Sequence, residues 1–168
     1  MNWAIEESPA GERPTTTGRV LGVDLGSRRI GVAVSDDSRR VASALTVVAR
    51  GESHLHDHAR LAEVVGDTGA ALVVVGLPLS LSGGAGPAAR AVLDEVREMR
   101  ELLDVPVECC DERYSTVIAR RALAAGGRRP AARRAVVDKV AAAAILQTWL
   151  DRQRAWPWPQ AGPAGPSR

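Results

Sequence analysis

Apolar positions along this chain follow two rhythms, one continuous and one recurring at every third or fourth residue. Val20 to Leu25 is a short apolar run and Ile30 to Val34 is another, with Gly26 and Ser27 between them as turn residues. Runs apolar at nearly every position predict strands covered on both faces. Ala44 to Ala49 predicts a third strand, after the polar turn Asp36-Asp37-Ser38-Arg39-Arg40. The period then changes. Leu55, His58, Leu61, Ala62 and Val65 predict a helix over 54–67 that ends before Gly69. Ala70 to Gly76 predicts a central strand, terminated by Leu77-Pro78-Leu79, and Ser80 to Gly86 is a glycine-rich loop. Pro87 opens a second helix, with Val92, Val96, Met99 and Leu103 on its inner face. Val105 to Cys110 predicts a fifth strand, ending in Asp111-Glu112-Arg113. Ser115 or Thr116 caps a third helix that runs to Ala125 and stops at Gly126-Gly127. Arg128 to Arg134 reads as a basic loop. The last helix runs from about Ala135 to Arg154 and is rich in Ala, so it can pack closely against a sheet.

The order β-β-β-α-β-α-β-α-α predicts an α/β fold. Hairpins first and alternation afterwards imply a mixed sheet, part antiparallel and part parallel, with helices over its faces. Length and composition agree with one domain over 18–154. Residues 1–17 and 155–168 lack periodicity and are expected to be a disordered leader and a disordered Pro/Gly-rich tail. Hydrophobic content is 45%, with no Phe and one Tyr, so the core must be aliphatic. The first residues have no basic segment followed by an apolar stretch, and no apolar run approaches the ~20 residues that span a bilayer. A cytoplasmic protein with no membrane partner is expected. Cys109 and Cys110 are adjacent, and in a strand they would point to opposite faces as small apolar residues.

Candidate chemistry begins with Asp24, which interrupts the first apolar run. A buried Asp is costly unless paired, hydrogen-bonded or metal-bound. Asp24 is either a turn former before Gly26-Ser27 or the first ligand of a cation or phosphate site. Counting by three and four from Asp138 gives Ala141, Ala142, Ile145 and Trp149, so a carboxylate shares the inward stripe of the last helix. Asp111 and Glu112 end the fifth strand. Where strands one and five flank the fourth, these ends can converge. Converging carboxylates repel unless a divalent cation relieves them, and oxygen-only ligands suit Mg²⁺ or Mn²⁺. Two such ions about 4 Å apart can activate water and stabilise a leaving oxygen in phosphodiester hydrolysis.

Net charge is only +2, but the bases are clustered. Arg28 and Arg29 flank the first turn, Arg113 follows the carboxylates, and Arg128, Arg129, Arg133 and Arg134 crowd one loop. Beside an acidic site, Arg is a natural phosphate clamp. Scarce aromatics argue against base stacking and favour a partner read by backbone shape. His54, His56 and His58 read as a polar helix start rather than zinc ligands. Gly83-Gly84-Ala85-Gly86 lacks the Lys-Ser/Thr ending of a P-loop.

Four motifs occur in order: Gly22-Val23-Asp24-Leu25-Gly26 with Ile30-Gly31-Val32-Ala33; Val74-Val75-Gly76-Leu77-Pro78-Leu79; Asp111-Glu112-Arg113-Tyr114-Ser115-Thr116; and Val137-Asp138-Lys139-Val140-Ala141-Ala142-Ala143 with Ile145-Leu146-Gln147. Together they resemble the bacterial YqgF family, also called RuvX, of Holliday junction resolvases and pre-16S rRNA nucleases. The resemblance covers roughly 19–151. It implies a ribonuclease H-like fold: a mixed five-stranded sheet, three strands antiparallel and two parallel. It implies metal-dependent hydrolysis of nucleic acid by Asp24, Glu112 and Asp138, with Asp111 as the other candidate for the middle ligand. The substrate would be the 5′ end region of precursor 16S rRNA in ribosome maturation, or a branched DNA junction in recombination and repair. A junction resolvase would be a homodimer that makes two paired cuts. Two other readings compete: a sugar kinase or actin-like ATPase, suggested by Val23-Asp24-Leu25-Gly26-Ser27, and a binding module whose catalysis has decayed.

Overall fold

The computed structural model describes residues 18–80, 84–112 and 131–155, side chains of 131–136 and 155 excepted. The predicted third helix, Arg113, Arg128, Arg129 and both tails lie outside the described residues. The elements run β1 (Arg19–Leu25), β2 (Arg29–Ser35), β3 (Ala42–Ala49), α1 (His54–Thr68), β4 (Ala70–Leu77), α2 (Pro87–Leu102), β5 (Val107–Asp111) and α3 (Ala131–Ala155).

The five strands form one sheet in the order β3-β2-β1-β4-β5. The first three pair antiparallel, while β4 runs parallel to β1 and β5 parallel to β4. This is the mixed sheet, part antiparallel and part parallel, that the sequence predicts. Side chains alternate across it. Leu21, Val23, Ile30, Val32, Val73, Val75 and Val107 form one core with α1 and α2. Val20, Ala33, Leu72, Val74 and Cys110 form the other with Ala141, Ala142, Ile145, Leu146 and Leu150 of α3. Strands buried on both faces explain why their sequences run apolar without alternation.

Local chemistry sets the element ends. Ser53 caps α1, its Oγ accepting from the His56 N–H at 3.3 Å, and Gly69 closes the helix at φ 62°. Pro87 occupies the first turn of α2. The fifth strand starts at Val107 rather than Val105, because Pro106 has no N–H to donate; its carbonyl instead accepts from Val73 N at 3.0 Å. The last helix starts at Ala131, about four residues earlier than predicted, so Arg133 and Arg134 belong to a helix and not to a loop. Alanine and arginine are both strong helix formers, and propensity prevails there over the charge run. Leu55, predicted on the inner face of α1, is 66% exposed. The residues α1 buries are Asp57, His58 and Leu61.

Small residues let α3 lie close to the sheet. A β-carbon on Gly22 would stand 2.5 Å from Leu146 Cβ, and one on Gly31 would collide with the Asp138 carbonyl. Gln147 then locks the helix to the β2–β3 turn, accepting from Ala42 N at 2.9 Å and donating to the Arg40 carbonyl at 3.0 Å.

Candidate active site

Asp24 is the sixth residue of β1 and is 6% exposed. Gly22, two residues earlier, faces Leu146 of α3. The pleat therefore turns Asp24 to the same face. Its partner across the β1–β2 ladder is Gly31, which faces Asp138 of α3. Strand β1 thus brings a carboxylate against the start of α3, and the bare Gly31 leaves room for the helix backbone there.

Glu112 follows β5 directly and is 2% exposed. Its Oε1 lies over the α-carbon of Gly76 in β4, beside Ile145 Cδ1 of α3. Gly76 has the parity of Leu72 and Val74, whose side chains pack on α3. Asp24 and Glu112 therefore reach the α3 face of the sheet from strands on either side of β4. Asp111 does not. It pairs with Leu77, which belongs to the α1/α2 core, so it stands on the opposite face.

Asp138 lies in the third turn of α3. Its Oδ2 is 3.1 Å from Arg29 Nε, with the two side chains 32% and 24% exposed. The pair is close enough to be ionic. However, Arg29 Nε is buried and makes no aligned hydrogen bond among the described residues. Arg28, one residue earlier, is exposed at the tip of the β1–β2 turn. The structure thus separates two arginines that the sequence treats alike: Arg28 faces solvent and Arg29 faces an acid.

Asp24, Glu112 and Asp138 share the α3 face of the sheet, and such oxygen-only donors are the kind that suit a hard divalent cation. Among the described residues, no three His, Cys, Asp or Glu side chains close on one point, and Asp138 is engaged by Arg29. The donor chemistry fits a metal, and Asp138, paired with Arg29, would have to turn from it to join Asp24 and Glu112 as a ligand. The histidine tract joins no such group either. His58 is buried against Glu95, with Nε2 3.2 Å from Oε1, and His54 lies at the surface beside Glu98.

A charged cluster on the other face of the sheet went unnoticed in the sequence. Arg50, just after β3, holds Glu95 of α2 and Asp57 of α1. Burial pushes the Glu95 carboxyl up, but the Arg50 guanidinium outweighs it and the net value is low. Asp57 follows the same pattern: burial raises it, but the Gly51 N–H and Arg50 outweigh that and the net value is low. A signal was available. Glu95 lies between Val92 and Met99 on the apolar stripe of α2, and charge on such a stripe demands a partner.

The family pattern described as RuvX, Holliday junction resolvase, matches residues 18–152 of the chain. A relative from Mycobacterium sp. (strain KMS) is 43% identical over 146 residues, covering 86% of each chain. A relative from Roseiflexus sp. (strain RS-1) is 44% identical over 137 residues, 82% of this chain and 96% of that one. One from Anaeromyxobacter dehalogenans is 46% identical over 135 residues, 80% of this chain and 98% of its own. All three carry the name "Putative pre-16S rRNA nuclease". Among solved structures, Thermus thermophilus RuvC in complex with Holliday junction substrate matches at 21% identity and a TM-score of 0.47, over 82% of this chain and 96% of that one.

Proposed function

This chain belongs to the RuvX family, and from that membership and its three carboxylates we propose that it is a metal-dependent nuclease that trims the 5′ end region of precursor 16S rRNA. The observation that carries the chemistry is the placement of Asp24, Glu112 and Asp138 on one face of the sheet, around Gly76 and Gly31. The names of relatives at 43–46% identity support the RNA substrate.

Asp24, Glu112 and Asp138 would hold Mg²⁺ or Mn²⁺, two ions in this reading. When bound, the cations supply an activated water and a counter-charge for the leaving oxygen. The protein does the rest. Glu112, nearly sealed from solvent, fixes the inner end of the site. Arg28, exposed at the turn, meets the phosphate backbone as a planar donor. Arg29 pairs with Asp138 and would compete with a bound cation for that carboxylate. Arg113, Arg128, Arg129, Arg133 and Arg134 extend the grip along the backbone, and this sequence-independent contact makes binding fall with salt.

The family's description favours a second reading, cleavage of four-way DNA junctions, which two paired cuts by a symmetric dimer would perform. One assay separates the two. Wild type and Asp24→Asn are incubated in Mg²⁺ with a 5′-extended precursor of the small-subunit rRNA and with a four-way DNA junction. The expected result is RNA trimming by wild type and none by the variant. Paired symmetric junction cuts with intact RNA would replace the first reading by the second. Cleavage that persists in Asp24→Asn would overturn the site.

A further inference from the structure

Arg50 makes more contacts than an ion pair needs. Its Nη1 and Nη2 fork onto Glu95 at 2.5 and 3.0 Å, and Nη1 also reaches Asp57 Oδ2 at 3.3 Å. Its Nε donates to the Gly26 carbonyl at 3.0 Å, and its backbone N donates to the Arg28 carbonyl at 3.1 Å. The Arg50 side chain is 14% exposed, while the Asp57 and Glu95 side chains are 1% and 6% exposed. Asp57 is fixed in turn by Gly51 N at 2.7 Å, and Glu95 by His58.

Gly26 and Arg28 lie in the turn between β1 and β2. That turn leads from Asp24 to Arg29 and carries Arg28 at its tip. It is tight: Gly26 N donates to the Asp24 carbonyl at 3.0 Å, and a β-carbon on Gly26 would stand 2.5 Å from the Arg29 carbonyl. Two of its carbonyls are held by one residue, which is itself held by α1 and α2 from the far side of the sheet. Stability alone does not account for this. Burying such charges costs desolvation that their attraction often only offsets, and apolar replacements of similar volume are commonly as stable. What the cluster adds is a fixed direction for the turn.

We infer that Arg50 is a positioning residue, which sets the pose of the β1–β2 turn and through it the placement of Asp24 and Arg28 at the nuclease site. The inference rests on the nuclease reading above for its effect on cleavage, but not for its effect on the turn. Lysine at this position keeps the charge. It cannot fork onto Glu95 and reach Gly26 together.

The test is Arg50→Lys, followed in two ways. Amide hydrogen exchange is read at Gly26 and at core amides such as Val23 and Val74. Single-turnover cleavage of precursor RNA is read at saturating protein, beside RNA affinity. Exchange at Gly26 should accelerate at least tenfold with the core amides unchanged. The cleavage rate should fall about ten- to a hundredfold, as misplacement near 1 Å does, with RNA affinity within about threefold. Should Arg50→Lys not fold, the triple variant Arg50→Met, Glu95→Met and Asp57→Asn keeps the cluster filled and uncharged without the tether, and the same changes are expected. Unchanged Gly26 exchange in either folded variant overturns the inference, as does a rate loss accompanied by faster exchange throughout the sheet. If wild type cleaves no RNA, the nuclease reading fails, and the exchange data still decide whether Arg50 holds the turn.

Discussion

Glu112 lies across the α-carbon of Gly76, its Oε1 resting where any other residue would carry a β-carbon. That β-carbon would also stand 2.5 Å from Ile145 Cδ1. Glycine in the middle of a strand is normally a weakness. Here it opens the pocket into which the buried carboxylate folds. Gly76→Ala should displace Glu112 and push α3 outward. Overpacking of this kind costs about 1–3 kcal/mol, which urea unfolding would measure. Cleavage should fall by more than the unfolded fraction explains.

The Arg29–Asp138 pair makes a different prediction. If the guanidinium and a divalent cation compete for one carboxylate, Arg29→Ala should tighten Mn²⁺ binding, measured by calorimetry without substrate. Asp138→Asn should weaken it at least tenfold. Weaker binding in Arg29→Ala would show that the arginine supports the metal instead of opposing it. Asp111→Asn should leave binding within about twofold of wild type, since that residue stands on the other face.

The Arg50 cluster should shape the acid limb of stability. Glu95 and Asp57 both hold their carboxyls below the ordinary range. A depressed folded value means stability that is present above the unfolded carboxylate value of about 4 and lost as pH falls through the folded value. Glu95→Gln should therefore be less stable than wild type at pH 7. The gap should narrow below about pH 4, in denaturant midpoints measured from pH 7 to 2. A gap that stays constant over that range would sink this account.

The two cysteines should react little in the native state. Burial pushes the Cys110 thiol up to about 11, and burial raises Cys109 as well. Both thiols are free, on opposite faces of β5 as their adjacency predicts, with Cys109 against the α1/α2 core and Cys110 against α3. Since the thiolate is the reactive form, a disulfide reagent at pH 8 should modify Cys110 only on unfolding. Cys109 should react slowly. Rapid native labelling of Cys110 would contradict the packing against Ile145.

The sequence alone determined the strands, α1, α2, the mixed sheet and the inward face of α3. Apolar period is a local property, and both-sided burial writes itself into runs such as Leu72-Val73-Val74-Val75 without any knowledge of partners. It also singled out Asp24 and Asp138, because a carboxylate on an apolar stripe is visible in one dimension. Tertiary structure decided what depends on register and pairing. Register sets Leu77 opposite Asp111 and Gly76 beneath Glu112, so the two adjacent acids stand on opposite faces. Arg29 was separated from Arg28 only when α3 brought Asp138 to one of them. Arg50, Glu95 and Asp57 are scattered over 45 residues, and their union across the sheet depends on long-range packing that no local pattern encodes.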